Sequence, residues 1–482
     1  MGNKTSIINL SLIFFQKVIK NFRIPHLVLV IWLYGIFSNH YWKNNDQYHL
    51  KPWKNKEIIN NDIIVYYEYL PAFFIFHDPS FKFADNLPKQ FNGKIWLVTG
   101  KDGKKYPKMT MGLSILYAPF FFAGHLSAKL LNYTADGYTM PYLFFLSFSG
   151  VFYAFIGLLF LEKTLKIYFS SLITSMVILS VGLATNLYFY TVYEGPLAHA
   201  HNFFLISVFL YYSIRWHEKT DYRTSIMLGF LFGLIFLIRP VNALVILIPV
   251  LYGIKDFKSL TSKIKLIFSN YLKILVALFF AFAAILPQLI FWKSISGNWF
   301  VYTYGKESFY FSNPHIVEGL ISYRNGWLLY TPIMLFSIAG IFFLKKYLDE
   351  LKLSIILFFC VNVYVVFSWW CWWYGGFSIR AMVDCYGILC IPQGAFYAKM
   401  LNIKYFKYLI FAVFAVFVYL NIFQTMQYTY LYVHYNSTTR NSYWSAFMKK
   451  QPPKNYWDLL KNPDHEAAVE GKEESQGAEC FP

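Results

Sequence analysis

The chain has 482 residues, of which 57% are hydrophobic and only 14% charged, against roughly 25% charged in an ordinary soluble domain. Apolar runs of about 17–25 residues recur along it, each long enough for a bilayer-crossing helix, so the composition excludes a soluble globular protein and predicts an all-α polytopic membrane protein. The net charge of +18 does not mark a nucleic-acid partner, because Lys and Arg sit in short loops between apolar runs, as on the cytoplasmic side of a membrane.

An amphipathic stretch, Ile7 to Val18, opens the chain and is followed by Lys20 and Arg23. No small-residue cleavage site follows, so no cleavable signal peptide is expected. The apolar runs then fall at 25–42, 142–161, 167–187, 196–214, 225–238, 240–253, 268–292, 326–344, 353–372, 385–401 and 408–426. The pair within 225–253 is short for spanning helices. Basic residues mark every second boundary: Lys17, Lys20 and Arg23; Lys163 and Lys166; Arg215, Lys219 and Arg223; Lys255 to Lys265; Lys345, Lys346 and Lys352; Lys404 and Lys407. This alternation predicts eleven spans, with the N-terminus cytoplasmic and the C-terminus periplasmic. It requires 43–141 to be one large external loop. The run at 110–131, with its internal His125 and Lys129, then lies along the outer surface or dips into it.

The transmembrane domain is thus expected over 1–426 and an external tail over 427–482. The tail ends in DHEAAVEGKEESQGAECFP, which is acidic, lacks apolar periodicity and reads as disordered. No internal repeat is visible, which argues against the inverted-repeat transporter plan. Cys360, Cys371, Cys385, Cys390 and Cys480 show no CxxC spacing, so inert thiols are expected rather than a zinc or iron–sulfur site.

Ionisable residues beside membrane runs are costly and therefore informative. Asp46, Asp62, Glu68, Glu194, His199, His201, Arg239, Arg380 and Asp384 all fall at the expected external ends of helices. In NNDIIVYYEYLPAFFIFHD (60–78) an acid precedes Tyr66, Tyr67 and Tyr69. A carboxylate there suits general-base work on a hydroxyl, and tyrosines suit a sugar or a headgroup; an interfacial aromatic belt is the plain alternative. His199 and His201 are two apart and do not share a helix face, so they read as hydrogen-bond donors to an anion rather than as a zinc pair. Arg239 and Arg380 suit a phosphate, which guanidinium binds through paired hydrogen bonds. The alternative for Arg380 is a salt bridge to Asp384, four residues on. In FSWWCWWYGGFSIRAMVDCYG (367–387), Trp372 and Trp373 are expected to wall a cleft at the outer interface, and Gly375-Gly376 to turn the backbone tightly.

The order of these features, with DIIVYYEYLPAFFIFHD, KYPKMTMGLSILYAPFFFAGH, ADGYTMPY, YEGPLAHAHNFFL, IRPVNALV, ISYRNGWLLYTP and WWYGGFSIRAMVD, resembles the GT-C superfamily of integral membrane glycosyltransferases. That group includes the protein O-mannosyltransferases and the aminoarabinose and lipid-A sugar transferases. The resemblance covers nearly the whole chain and points to a bacterial branch, in the inner membrane. It implies an inverting transferase taking sugar from a polyprenyl-phosphate donor to an acceptor hydroxyl on protein, lipid or glycan. An acid of the first external loop acts there as base, or in some members helps hold a divalent metal. Asp62 is the match and Asp46 the rival. The adjacent pair of acids typical of several members is absent, and no cofactor is otherwise implied. Arg239 and Arg380 would meet the departing phosphate, with Asp384 orienting Arg380. En bloc oligosaccharide transfer, a transporter or lipid flippase, and a non-catalytic subunit of a membrane complex are the other readings.

Overall fold

The computed structural model describes residues 23–38, 58–59, 61–86, 97–99, 103–472 and 480. Almost all of its regular structure is helical. Helix α1 (Ile24–Ser38) is followed by two short helices, α2 (Asn61–Tyr67) and α3 (Tyr69–Phe74), and by a small antiparallel hairpin, β1 (Leu97–Thr99) and β2 (Lys105–Pro107). Then come α4 (Gly112–Leu130), α5 (Met140–Tyr168), α6 (Ser171–Leu183), α7 (Leu187–Val192), α8 (Ala198–Glu218) and α9 (Tyr222–Ile238). A 3-10 segment, Pro240–Ile246, leads into the short α10 (Leu247–Leu251), then α11 (Phe257–Ser269) and α12 (Tyr271–Ser296). The second half holds α13 (Ile316–Ile321), α14 (Trp327–Tyr330), α15 (Leu335–Ile341), α16 (Leu344–Tyr347), α17 (Asp349–Phe367), α18 (Tyr386–Met400) and α19 (Phe406–Thr429). Two further short helices, α20 (Arg440–Ala446) and α21 (His465–Val469), follow.

Among the described residues, four helices are long and apolar enough to cross a membrane: α5, α12, α17 and α19. This corrects the expectation of eleven spans. The other apolar runs are largely helical, but they are short, broken or too polar. At about 1.5 Å per residue, the 15 residues of α1 reach about 22 Å, less than the roughly 30 Å hydrocarbon core. The run at 167–187 yields only the 13 residues of α6. Pro240 stops α9 at Ile238, because proline lacks the N–H that a continuing helix needs, and 225–253 becomes two unequal pieces. The run at 326–344 is divided among α14, the 3-10 turn Pro332–Met334, α15 and the start of α16. Helix α8 is long, but it carries His199, His201 and Asn202 in its first turns.

Burial distinguishes α18 from α12. In α18 every residue from Tyr386 to Ala398 is buried, as for a helix at the centre of a bundle. In α12 the buried residues are Ala281, Ala284, Gln288, Phe291 and Trp292, while Leu272, Leu275, Leu278, Phe279 and Phe282 are exposed. The run at 110–131 forms α4, which packs along α5. A Cβ on Gly124 would stand 2.9 Å from the Tyr142 backbone, and His125 Nδ1 lies 2.6 Å from the Tyr142 hydroxyl. Helix α2 is tied to α4 by the Ser114 hydroxyl, which donates to the Tyr66 carbonyl. The five cysteines are all free, three of them buried, with Cys360 exposed. The start of the tail is tied to the bundle: Gln427 donates to the carbonyls of Ala446 (2.7 Å) and Lys449 (2.9 Å). The acidic 473–479 lies outside the described residues.

The most extensive helix pair is α9 with α12. Gly229 and Gly233, four apart on α9, face Ala277, Ala281 and Ala284. A Cβ would stand 2.0 Å from the Ala277 carbonyl oxygen at Gly229 and 2.4 Å from that of Ala281 at Gly233. Small residues at this spacing let two backbones approach closely. Gly229→Leu should force the helices apart, cost about 1–3 kcal/mol and lower the thermal unfolding midpoint in detergent. An unchanged midpoint would show that the contact is not made.

Candidate functional site

The polar centre is built around the turn that follows α17. Tyr374, Gly375, Gly376 and Ser378 take φ values of 53°, 32°, 156° and 58°. Gly376 is required here, because a Cβ would lie 2.5 Å from the Tyr190 hydroxyl. Tyr374 and Ser378 hold left-handed backbone without that freedom, a strain that persists only when its surroundings fix it. They do: Tyr190 Oη accepts from the Phe377 N–H (2.9 Å), and Asn186 Nδ2 donates to the Phe377 carbonyl (3.1 Å). The chain then enters a 3-10 helix, Arg380–Cys385.

That helix decides the pairing. With three residues per turn, positions four apart point about 120° from one another. Arg380 and Asp384 therefore diverge, and the expected salt bridge between them, with Asp384 orienting Arg380, is replaced by two others. Arg380 Nη2 lies 3.0 Å from Asp62 Oδ2, each side chain about a fifth exposed at 24% and 20%. Asp384 is fully buried and satisfied by four groups. His199 Nδ1, 2.7 Å from Oδ1, carries the proton toward the carboxylate. Asn242 Nδ2 (2.7 Å), Asn202 Nδ2 (3.1 Å) and Arg239 Nη1 (3.1 Å) donate to Oδ2. Burial alone would raise the Asp384 carboxyl, but Arg239, His199 and the hydrogen bond from Asn242 outweigh it and hold it below the usual carboxylate range. The pairing thus contributes stability that is present above the unfolded value near 4 and lost as pH falls below it.

Glu194, in the loop between α7 and α8, is half-buried. Burial pushes its carboxyl up to about 7, with Arg380 opposing and Asp62 adding to the rise. The hydroxyls of Tyr66, Tyr304 and Tyr374 lie within electrostatic range of Arg239, and Tyr66 Oη is 3.4 Å from the Ile238 carbonyl oxygen.

Asp62, Tyr66, Glu194, His199, Arg239, Arg380 and Asp384 are thus brought together; other expected site residues are not. The Tyr67 hydroxyl donates to the Gly137 carbonyl within a ring cluster of Tyr117, Phe121 and Tyr138. Tyr69 donates to the Met109 carbonyl (2.7 Å) and packs on Phe81 and Phe291. Successive helical residues point about 100° apart, so one tyrosine of the three faces the acid. Glu68 is fully buried, its two carboxyl oxygens have no hydrogen-bond partner among the described residues, and burial pushes the carboxyl well up. His201 turns to the Leu197 carbonyl (3.0 Å) and Ser149 (3.2 Å), away from Asp384. Trp372 and Trp373 are buried against the tail residue Ala468, with Trp373 also on His465 and under Arg324. They wall a small cleft with Tyr310, His315 and Ala468 instead of the charged centre. Asp46 lies outside the described residues.

Asn202 and Asn242 were not anticipated, yet each stands three residues after a site residue, His199 and Arg239. That spacing puts both members on one helical face. Among the described residues no three His, Cys, Asp or Glu side chains gather at metal-binding spacing. Asp62 and Asp384 each already hold an arginine, so the donor set among the described residues does not fit a divalent ion. No protein-family model matches the chain, and no curated protein is similar enough to count as a relative.

Two outcomes follow from this electrostatics. Asp384→Ala leaves Arg239 without its buried counter-charge and should cost about 3–5 kcal/mol, read as a lower unfolding midpoint in detergent, with Asp384→Asn milder. For Glu194 the sign is opposite. Its folded value of about 7 exceeds the unfolded value of about 4.3, so ionisation costs stability as pH rises through that window. Glu194→Gln should stabilise the protein at pH 8 by up to roughly 3 kcal/mol, and the gain should vanish below about pH 4. A pH-independent difference would contradict the assignment.

Proposed function

We propose that the protein is an inverting glycosyltransferase of the bacterial inner membrane, moving a sugar from a polyprenyl-phosphate donor to an acceptor hydroxyl on the periplasmic face. The donor class, the inversion and the location come from the likeness to the GT-C superfamily. The observation that carries the reading is the partly exposed Asp62–Arg380 pair, 3.0 Å apart, beside an Arg239 held by the buried Asp384. A carboxylate and two guanidiniums, one of them locked, suit proton removal and phosphate capture in one place.

In this mechanism the donor phosphate competes with Asp62 for Arg380 and takes Arg239 as its second guanidinium. Asp62 is then free to accept the proton of the acceptor hydroxyl. The acceptor oxygen bonds to the anomeric carbon from the face opposite the leaving group. The carbon–oxygen bond to phosphate breaks with its electron pair, and the arginines stabilise the charge that grows on the polyprenyl phosphate. Tyr66 and Glu194 border the sugar. His199 and Asn202 act through Asp384, as positioning residues for Arg239.

The test is transfer of labelled sugar from a polyprenyl-phosphate donor by the purified protein in proteoliposomes, with donor binding measured alongside. Asp62→Asn should lower turnover about 10²–10⁴-fold without weakening donor binding, since it removes the competitor for Arg380. Arg380→Lys should weaken donor binding, because a point charge does not reproduce the guanidinium fork. Unchanged donor binding in Arg380→Ala would remove its phosphate role. Donor crossing the membrane without transfer would favour a flippase.

A further inference from the structure

The loop between α10 and α12, read from sequence only as a basic stretch, forms the 13-residue helix α11. Its start is well defined: the Asp256 side chain accepts from the Ser259 N–H and the Ser259 hydroxyl accepts from the Asp256 N–H, both at 2.8 Å. Laid out at about 100° per residue, its side chains fall into three sectors. One faces protein. Lys263 is buried there, donating to the carbonyls of Pro249 (2.6 Å) and Tyr252 (3.2 Å) and contacting His217. It thereby satisfies carbonyls at the end of α10 and clamps α11 to the bundle.

The second sector is an apolar stripe that turns away from protein. Phe257, Leu260, Ile264 and Phe268 lie within an arc of about 80°, and the two phenylalanines are 83% and 72% exposed. In the third, Lys258 and Lys265 border one edge of the stripe, both exposed and neither with an ion-pair partner among the described residues. Ser262 and Ser269 continue this polar side.

Position in the fold says what covers the stripe. Helix α11 ends at Ser269 and α12, one of the four helices able to cross a membrane, begins at Tyr271. The stripe therefore ends where that span begins, and Leu272 and Leu275 at the start of the span are exposed as well. We propose that α11 lies in the plane of the membrane, its Phe257–Leu260–Ile264–Phe268 stripe seated between headgroups and acyl chains, with Lys258 and Lys265 on the phosphates of anionic phospholipids. An apolar face bordered by lysines is the pattern of helices that lie in the interface. The buried Lys263 makes this helix part of the bundle's wall, so it sets the depth of the bundle in the membrane. No residue of the charged centre takes part in this membrane contact.

The experiment uses the full chain in nanodiscs, with an environment-sensitive fluorescent amino acid at Ile264 or at Ser262, which leaves the native cysteines in place. The Ile264 probe should be quenched by phosphatidylcholine brominated on its acyl chains, and the Ser262 probe by aqueous iodide. In discs mixing phosphatidylglycerol with phosphatidylcholine, bromine on the phosphatidylglycerol should quench the Ile264 probe more than bromine on the phosphatidylcholine. Lys258→Gln with Lys265→Gln should lower that preference, by up to roughly fivefold per lysine. Equal iodide quenching at both positions would overturn the in-plane placement. Protection of Ile264 from both quenchers would mean that protein covers the stripe, and would also overturn it. A lipid preference unchanged in the double variant would overturn the role of the lysines. If a probe variant fails to fold, a probe at Leu260, also exposed on the stripe, repeats the depth test: acyl-chain quenching is expected, and iodide quenching would overturn the placement.

Discussion

A carboxylate with no exposed surface must be surrounded by donors, and Asp384 is. The electrostatic cost of removing an ion from water is several kcal/mol, and here it is met by an imidazole, two amides and a guanidinium within 3.1 Å. Those four groups come from two places, the first turns of α8 and the junction after α9, while Asp384 sits before α18. One buried charge therefore fixes three chain segments relative to each other. It also sets the phase of the 3-10 turn, and that phase sends Arg380 to Asp62.

The turn between α17 and α18 is shaped by the same requirement. Its left-handed residues are pinned by Tyr190 of α7 and by Asn186 just before it, so the strained backbone is held by packing. The tryptophans just upstream close against His465 and Ala468. The C-terminal segment and the charged centre thus share one loop as support. Cys480 adds to this anchoring, since its carbonyl accepts from the Tyr323 N–H and the Ser322 hydroxyl, both at 2.9 Å.

Broken helices make the polar centre affordable. Where α9 stops at Pro240 and α17 gives way to the 3-10 turn, backbone and side-chain polar groups gather in protein instead of facing lipid. Irregular backbone beside a membrane core is tolerated only in such places. The helices able to cross a membrane carry no member of the charged cluster, and the long α12 contributes packing through alanine and phenylalanine instead.

The sequence by itself determined that the chain is helical and membrane-bound, because apolar runs locate helices whatever their partners. It also supplied most of the charged residues of the centre, since ions beside apolar runs are few and must be compensated. It could not say which apolar helices cross a membrane: α18, buried on every side, and α12, exposed along one, are both apolar runs in the sequence. Nor could it pair the charges. Arg380 and Asp384 look like partners at α-helical pitch, and only the tighter 3-10 winding, imposed by the tertiary contacts of Asp384, separates them. Asn202 and Asn242 were legible as spacing three residues after His199 and Arg239, but their value depends on a carboxylate more than 140 residues away in the chain. The tryptophans carry the mark of a membrane interface in their composition alone. That they close on the tail was decided by the fold, because a flat aromatic face takes whichever surface the chain brings to it.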